Sequence, residues 1–458
     1  MNVNPITRLD YPDPDVIRVE DTYYMVSTTM HFMPGCEILQ SFDLVHWEHV
    51  TYVYETLDHT DAQQLKSGQN IYGQGMWAAS LRYHEGRFYI CFVANDTRKT
   101  YLYTSEKIDG PWKKQLIEGF YHDGSLLFDE DGRNYIVYGN DEIWITELNE
   151  DLTAPKKDGL HRLLVSDHKN PELGYEGSHI QKINGYYYIF LIHSLRDRWM
   201  RTEACFYSDS LEGEFTGGDV LCDDRGYCGQ GVAQGGIVDT PDGKWYAMLF
   251  QDSGAVGRIP ILLPVTWKDH FPFFGQNGHV PEEIEVHSTR PGYIYQPLVG
   301  SDDFCNGLLP RWQFNHDPDP RYYHLDALQG TYTITTREVC TELTQAVNTL
   351  TQRMSYPSCA AEVTVDASAL KEGDVAGLCA LQSCYAAVGI TKHHGKYEVL
   401  MLDKKEDGIL DMTEGTVVES HQMDFRLEAD FCNMKDEARC YYRVNKGDWL
   451  PIGTVHKL

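Results

Sequence analysis

The sequence predicts an all-β protein, a five-bladed β-propeller over residues 1–296 followed by an antiparallel β-sandwich over residues 297–458. Two observations carry this. A turn followed by paired aromatics and a β-rich run occurs five times: Asp21-Thr-Tyr-Tyr-Met-Val, Glu85-Gly-Arg-Phe-Tyr-Ile, Asp131-Gly-Arg-Asn-Tyr-Ile, Asn184-Gly-Tyr-Tyr-Tyr-Ile and Asp242-Gly-Lys-Trp-Tyr-Ala. After about residue 296 that period stops. Short alternating runs such as Thr331-Tyr-Thr-Ile-Thr and Ala361-Glu-Val-Thr-Val replace it, as expected of a sandwich.

Four of the five turns are Asx-Gly or Glu-Gly pairs, which close tight hairpins. They lie roughly 46 to 65 residues apart, the length of a four-stranded blade with variable loops. A second landmark, a segment ending on an aromatic, follows in three repeats: Ser41 to Trp47, Ser105 to Trp112 and Ser208 to Phe215. These are read as the edges of the outer strands. The first strand of a propeller blade lines the axis, so residues just ahead of each hairpin face a common hub. Roughly nine residues before the five turns stand Asp13, Trp77, Asp123, Glu176 and Gln234. Three carboxylates and a tryptophan from different blades are thereby expected in one pocket. The join near Ser288-Thr-Arg-Pro-Gly is read as a linker.

The formal charge of −29 repels nucleic acid and anionic lipid alike, and no basic block interrupts it. A neutral ligand suits it better, and the heavy load of tyrosine, tryptophan and phenylalanine suits both strands and sugar faces. The partner expected is an oligosaccharide, with neither nucleic acid nor membrane; homo-oligomerisation stays open. Twelve cysteines lack a C-x-x-C pair and are expected to be reduced and mostly buried. The polar, proline-broken opening MNVNPITRLDYPDPD carries no export signal, so a cytoplasmic location is expected.

Hydrolysis of a glycosidic bond without a cofactor needs a protonated acid for the leaving oxygen and a carboxylate to activate water or attack directly. A third carboxylate nearby raises the pKa of the acid by like-charge repulsion. Each residue alone has an ordinary explanation. Asp13 between prolines and Asp123 before glycine are common turn residues, Glu176 is a glycine-flanked loop residue, and Trp77 is of a type usually found in cores. Their shared register is what favours a site, although the register alone assigns no roles.

These residues resemble glycoside hydrolase family 43, in its β-xylosidase and α-L-arabinofuranosidase branch with an appended β-sandwich. The similarity runs through Asn4-Pro-Ile, Tyr11-Pro-Asp-Pro-Asp-Val-Ile-Arg18, Asp123-Gly-Ser-Leu-Leu-Phe-Asp-Glu-Asp-Gly-Arg133 and Glu176-Gly-Ser-His-Ile180. The resemblance implies a concanavalin-like sandwich and an exo-acting, inverting hydrolase that releases a terminal pentose from hemicellulose-derived oligosaccharides. In it Asp13 is the general base, Glu176 the general acid and Asp123 the residue that tunes and orients the acid. The two reacting carboxyls would stand roughly 6.5–9.5 Å apart to admit a water.

The resemblance also implies that Trp77, Arg258, Met30, His31 and Phe32 contact substrate. The Ser27-Thr-Thr-Met-His-Phe-Met-Pro34 segment places α-L-arabinofuranose somewhat ahead of β-D-xylose. No cofactor is needed for such chemistry. Gln234 stands where many relatives have a hub histidine associated with a cation, which weakens the case for a structural calcium, although amide oxygen is a hard-cation ligand by type. Trp312-Gln-Phe-Asn-His316 and Asn348-Thr-Leu-Thr-Gln-Arg353 resemble the family's sandwich, with His316 and Asp317 as expected rim residues. That sandwich reaches Leu458 before the last strands expected, implying a truncated C-terminus or an exposed sheet edge. The alternative function is a carbohydrate-binding propeller without catalysis.

Overall fold

The computed structural model describes residues 2–458. Five four-stranded antiparallel sheets follow one another in the chain, each ordered as its strands occur. Their first strands are Asp15–Val19, Ser80–His84, Ser125–Phe128, Glu176–Ile183 and Ala233–Asp239. Each touches the next, and the fifth touches the first, so the sheets close a five-bladed ring around a hub.

Local sequence explains the hairpins. Glu85-Gly86 and Asn184-Gly185 both take left-handed backbone at two successive residues, the geometry that matches strand twist in a two-residue hairpin. Trp47, Trp112 and Phe215 each stand directly before the outermost strand of their blade, at Glu48–Tyr54, Lys113–Ile117 and Thr216–Leu221. Between blades the strands bury apolar side chains against their neighbours, giving a separate cluster at each junction. Ile38, Phe92 and Tyr101 fill the first junction, and Ile189, Ile145 and Val137 that of the third and fourth blades. Tyr11, Tyr23 and Met25 meet Tyr246, Met248 and Leu262 where the fifth blade returns to the first. Each fully buried large side chain contributes roughly 1.5–3 kcal/mol.

Ring closure also has a polar part. Asn2–Val3 pairs with Glu283–Ile284, and the buried Asn4 side chain donates to Leu262 O at 2.7 Å and Pro281 O at 2.9 Å while accepting from Leu262 N at 3.0 Å. The opening residues thus bind beside the end of the last blade.

The chain divides into two compact units. One comprises residues 1–252, 257–341 and 345–353, the other residues 253–256, 342–344 and 354–458. Residues 297–341 and 345–353, which the repeat pattern groups with the sandwich, cluster with the blades. The join after Ser288 is likewise tied down rather than free: Thr289 N donates to Phe42 O at 2.7 Å and Arg290 Nε to Asp21 at 2.8 Å.

Within the first unit, Arg353 lies against the segment that precedes Asp13. Its Nε donates to Asp10 O at 2.8 Å, its Nη1 lies 2.8 Å from Glu37 Oε2, and its guanidinium stacks over Tyr11 at 4.2 Å. Glu37 is only 3% exposed and Tyr11 fully buried, so the ion pair has been taken out of water.

The second unit contains two facing sheets. In Gln422–Asp430, Met423, Phe425, Leu427 and Ala429 alternate inward. They pack with Tyr385–His393 of the other sheet, whose Tyr385, Val388 and Ile390 are fully buried. Ser358–Asp366 and Leu450–Lys457 are the outer strands of the first of these sheets and are largely exposed.

All twelve cysteines are free thiols, but the expectation that most are buried is corrected: five are buried, and Cys222, Cys228, Cys305, Cys340 and Cys432 are exposed. These five fall in loops, edge turns or a short 3-10 turn outside the packed strand faces.

Removing one member of a buried ion pair strands the other charge in a medium that cannot solvate it. Arg353→Ala is therefore expected to cost on the order of 3–5 kcal/mol, seen as a lower midpoint of thermal unfolding. Arg353→Met combined with Glu37→Gln should regain part of that loss; equal midpoints for the single and double variants would contradict a paired-charge role.

Candidate active site

Asp13 and Asp123 both stand two residues ahead of an innermost strand and both have left-handed backbone, with φ of 51° and 47°. Such a conformation costs a non-glycine residue roughly 1–2 kcal/mol. It breaks the strand alternation at that point. Gln234 takes the same conformation in the fifth blade, at φ 61°. In the fourth blade the left-handed residue is Gly177, at φ 64°, so Glu176 is offset by one residue from the register that the repeat suggests. Sheet pairing is irregular between Glu176 and His179 and between Ala233 and Gly236, which marks the same bulge in both blades. Glycine is needed here: a Cβ on Gly177 would approach Gln234 Cγ to 2.7 Å.

Hydrogen bonds fix Asp13. Thr28 Oγ1 donates to its Oδ2 at 2.6 Å and Arg258 Nη1 to its Oδ1 at 2.7 Å. The preceding turn is clipped by Arg258 as well, since Arg258 N donates to Asp10 Oδ1 at 2.7 Å and Tyr11 N to Arg258 O at 3.0 Å.

Asp123 and Glu176 are joined through shared neighbours. Gly177 N donates to Asp123 Oδ2 at 3.0 Å, and Asn140 Nδ2 donates to Glu176 Oε2 at 2.6 Å. His122 Nε2 stands 3.5 Å from both Asp123 Oδ2 and Glu176 Oε2. Trp77 presents an edge-to-face contact to the His122 ring at 6.1 Å. Residues from the second, third and fourth blades therefore meet, and the charge of Asp13 from the first is felt by both Asp123 and His122.

The electrostatics follow from burial. Loss of hydration pushes the Asp123 carboxyl up to about 6, with the charges of Glu176 and Asp13 adding to it and His122 and the Gly177 N–H opposing it. Burial disfavours a charged His122, yet its two carboxylate neighbours outweigh that and raise it to about 9. Among the described residues, His122, Asp123 and Glu176 offer His and carboxylate atoms within 4.8 Å of one another.

Beneath this cluster the hub is sealed. Asp15, fully buried, accepts from Leu81 N at 2.7 Å and Arg82 Nη1 at 2.8 Å, and its other oxygen lies 3.1 Å from His179 Nδ1. Gln234, standing where the resemblance implies a hub histidine, is 4% exposed, lies over Gly177, and donates its backbone N–H to Glu203 Oε2 at 2.7 Å. Glu203 is fully buried, and burial pushes its carboxyl well above the ordinary range.

The remaining expected contact residues divide. Met30 forms a backbone bridge with Met76, next to Trp77, which brings that segment to the cluster. Phe32 N donates to Thr29 O at 3.1 Å, turning the chain, and its ring lies 4.2 Å from that of His31. His31 is 8% exposed, packed also against Tyr72 and His316, and held neutral by burial, its pKa lowered to about 3. It belongs to a packed aromatic wall.

His316 and Asp317, expected on the rim, are 1% and 3% exposed. His316 Nε2 accepts from Ile71 N at 3.0 Å, and Asp317 Oδ2 lies 2.7 Å from His59 Nδ1. The segment that carries them pairs with Met33 through Phe314 and is a buried wedge for a loop of the first blade.

Several residues of the site carry no repeat signal. His122 adjoins Asp123 and is visible in the sequence only as part of a turn. Thr28 lies just past the second strand of the first blade, and Asn140 ends the second strand of the third, positions about which the hub register says nothing. Arg201 forms an ion pair with Asp252, whose Oδ1 lies 3.4 Å from Arg258 Nε. Burial first, then the neighbouring charge of Arg258, lowers Arg201 to about 10. Both guanidinium groups lie over the Phe250 ring, at 5.5 and 4.8 Å. A cluster of carboxyls with a separately braced carboxylate supplies the acid and the base that cleavage of a neutral glycoside requires.

Comparison with known proteins agrees with that geometry. Residues 3–272 match glycosyl hydrolases family 43, and residues 301–458 match the β-xylosidase C-terminal concanavalin A-like domain. A β-xylosidase of Formosa agariphila is 27% identical, over 88% of this chain and 76% of its own. A non-reducing end α-L-arabinofuranosidase of Bacteroides ovatus is 24% identical, over 90% of this chain and 79% of its own. The solved structure of a bifunctional GH43-CE protein of Bacteroides eggerthii superposes with a TM-score of 0.92 at 42% identity; the match covers all of this chain and 59% of that one. With more than half of its length matched by the family and its carboxylates gathered at the hub, the chain belongs to glycosyl hydrolases family 43.

Proposed function

We propose that the protein is an exo-acting, inverting glycoside hydrolase that releases a terminal pentose, α-L-arabinofuranose or β-D-xylose, from short hemicellulose-derived oligosaccharides. The observation that supports this most is the cluster of Asp13, Asp123 and Glu176 above a hub that Asp15, Arg82 and His179 close. With the hub filled by the buried Asp15 and its partners, the carboxylates are reached from one face.

In this reading Glu176 protonates the glycosidic oxygen as the C1–O bond breaks, and Asp13 takes a proton from the water that attacks C1 from the opposite face. Two hydrogen bonds hold the Asp13 carboxylate, from Thr28 and Arg258, which suits a base that must keep one orientation. Asp123 and His122 border the acid. An ionised Asp123 accepts from Gly177 N at 3.0 Å and so holds the backbone beside the acid in place. Acid and base are both side chains of the protein, so the step needs no cofactor.

The test is a proton NMR time course with aryl α-L-arabinofuranoside and aryl β-D-xyloside that reads the first-formed anomer. An inverted pentose is expected, and a retained anomer would sink the mechanism. Glu176→Ala and Asp13→Ala should each lower kcat by about 10²–10⁴-fold while sugar binding persists.

A dependence on pH arises from the same cluster. Asp123, raised to about 6, is protonated below that pH and ionised above it, so kcat/KM should rise with pH through about 6. The positive charge of His122 opposes that elevation. Its removal in His122→Gln should therefore move the acid limb to higher pH; an unmoved or downward-shifted limb would show that Asp123 does not set it.

A further inference from the structure

We propose that Trp199 is the stacking platform for the sugar on the leaving side of the scissile bond. This rests on the reading above, in which Glu176 is the acid. The indole is 43% exposed, in the loop between Tyr186–Ser194 and Arg201–Ser208, the second and third strands of the blade that begins with Glu176. A lone exposed aromatic is ordinary. This one is held in place.

The loop is closed by Leu195 N donating to Met200 O at 3.1 Å. Ser194, fully buried, braces it from within: its Oγ donates to Arg198 O at 3.2 Å and accepts from Met200 N at 2.8 Å. The Arg201 guanidinium lies 5.1 Å from the Trp199 ring centroid. Arg201 pairs with Asp252, Asp252 approaches Arg258, and Arg258 binds Asp13. The indole is therefore the outer end of a chain of charge contacts that begins at the catalytic base. An aromatic whose position is set before binding loses little entropy when a sugar stacks on it.

The register gives its direction. Glu176 pairs with Ile192, and Ile192 with Glu203, while Arg201 lies two residues beyond Glu203 and pairs with Ser194. Trp199 thus stands past Glu176 toward the rim and two strands outward, about 10 Å at the usual strand spacing, a reach suited to the next sugar. An acid must face the oxygen that departs, so the leaving sugar lies on the side of Glu176. Trp77, beside His122 and on a different blade, is left for the terminal sugar.

The test uses the full chain with Glu176→Gln, so that ligands bind without turnover. Calorimetry would compare β-1,4-xylotriose and α-1,5-arabinotriose with xylose and L-arabinose. Adding Trp199→Ala should weaken the better-bound trisaccharide about tenfold and its monosaccharide by no more than about twofold, and Trp199→Phe should restore most of the loss. Unchanged trisaccharide affinity, an equal loss for both ligands, or no binding of either trisaccharide would overturn the platform. Turnover by the unaltered chain is scored separately. Trisaccharide binding that depends on Trp199 without hydrolysis of either aryl pentoside would leave the platform standing and remove the hydrolase reading.

Discussion

Closure of the ring is the constraint on which the rest depends. The five first strands contribute to one hub only because the fifth blade returns to the first, burying Tyr11, Tyr23 and Met25 against Tyr246, Met248 and Leu262. The same junction carries Asp13 and Arg258, which are far apart in sequence and 2.7 Å apart in space. If that junction opened, the apolar cluster and the brace on Asp13 would be lost together. Stability and site geometry are here one property of one interface.

Crowding carboxylates into a closed hub has an electrostatic cost, and the structure offsets it locally. Asp15 is matched by Arg82 and His179, Asp13 by Arg258, and the Asp123 and Glu176 pair by His122. The neutralisation is uneven. Asp15 has enough partners to be held below the ordinary carboxylate range, whereas Asp123 has too few and is pushed up to about 6. Environments that drive neighbouring carboxyls apart are how a protein separates acid from base and from mere scaffold.

The residues after the last blade do more than connect. Arg353 clamps the segment ahead of Asp13, and the run around Phe314 to Asp317 wedges under the loops that hold Met30 to Pro34. Those contacts bury polar groups, among them His316 and Asp317, which a sequence reading assigns to the rim because their residue types are usually solvated. Burial was possible because the Ile71 N–H and the His59 side chain offered matching partners, and such pairings at long sequence separation leave no periodic trace.

The repeat, the closing turns and the short alternating runs are local properties, so the all-β class, the number of blades and the meeting of Asp13, Asp123 and Glu176 at the hub were legible in the chain by itself. A turn signal at a fixed spacing determines where a strand begins, and the propeller then determines which residues share an axis. What the tertiary structure alone decided is the one-residue offset of Glu176, which arises from the bulge at Gly177, and the partners of each carboxylate. It also decided that Arg201 and Asp252 join Arg258 beside Asp13. Those two residues lie on the second and third strands of neighbouring blades, positions that the repeat leaves unconstrained, and only packing between blades brings them together.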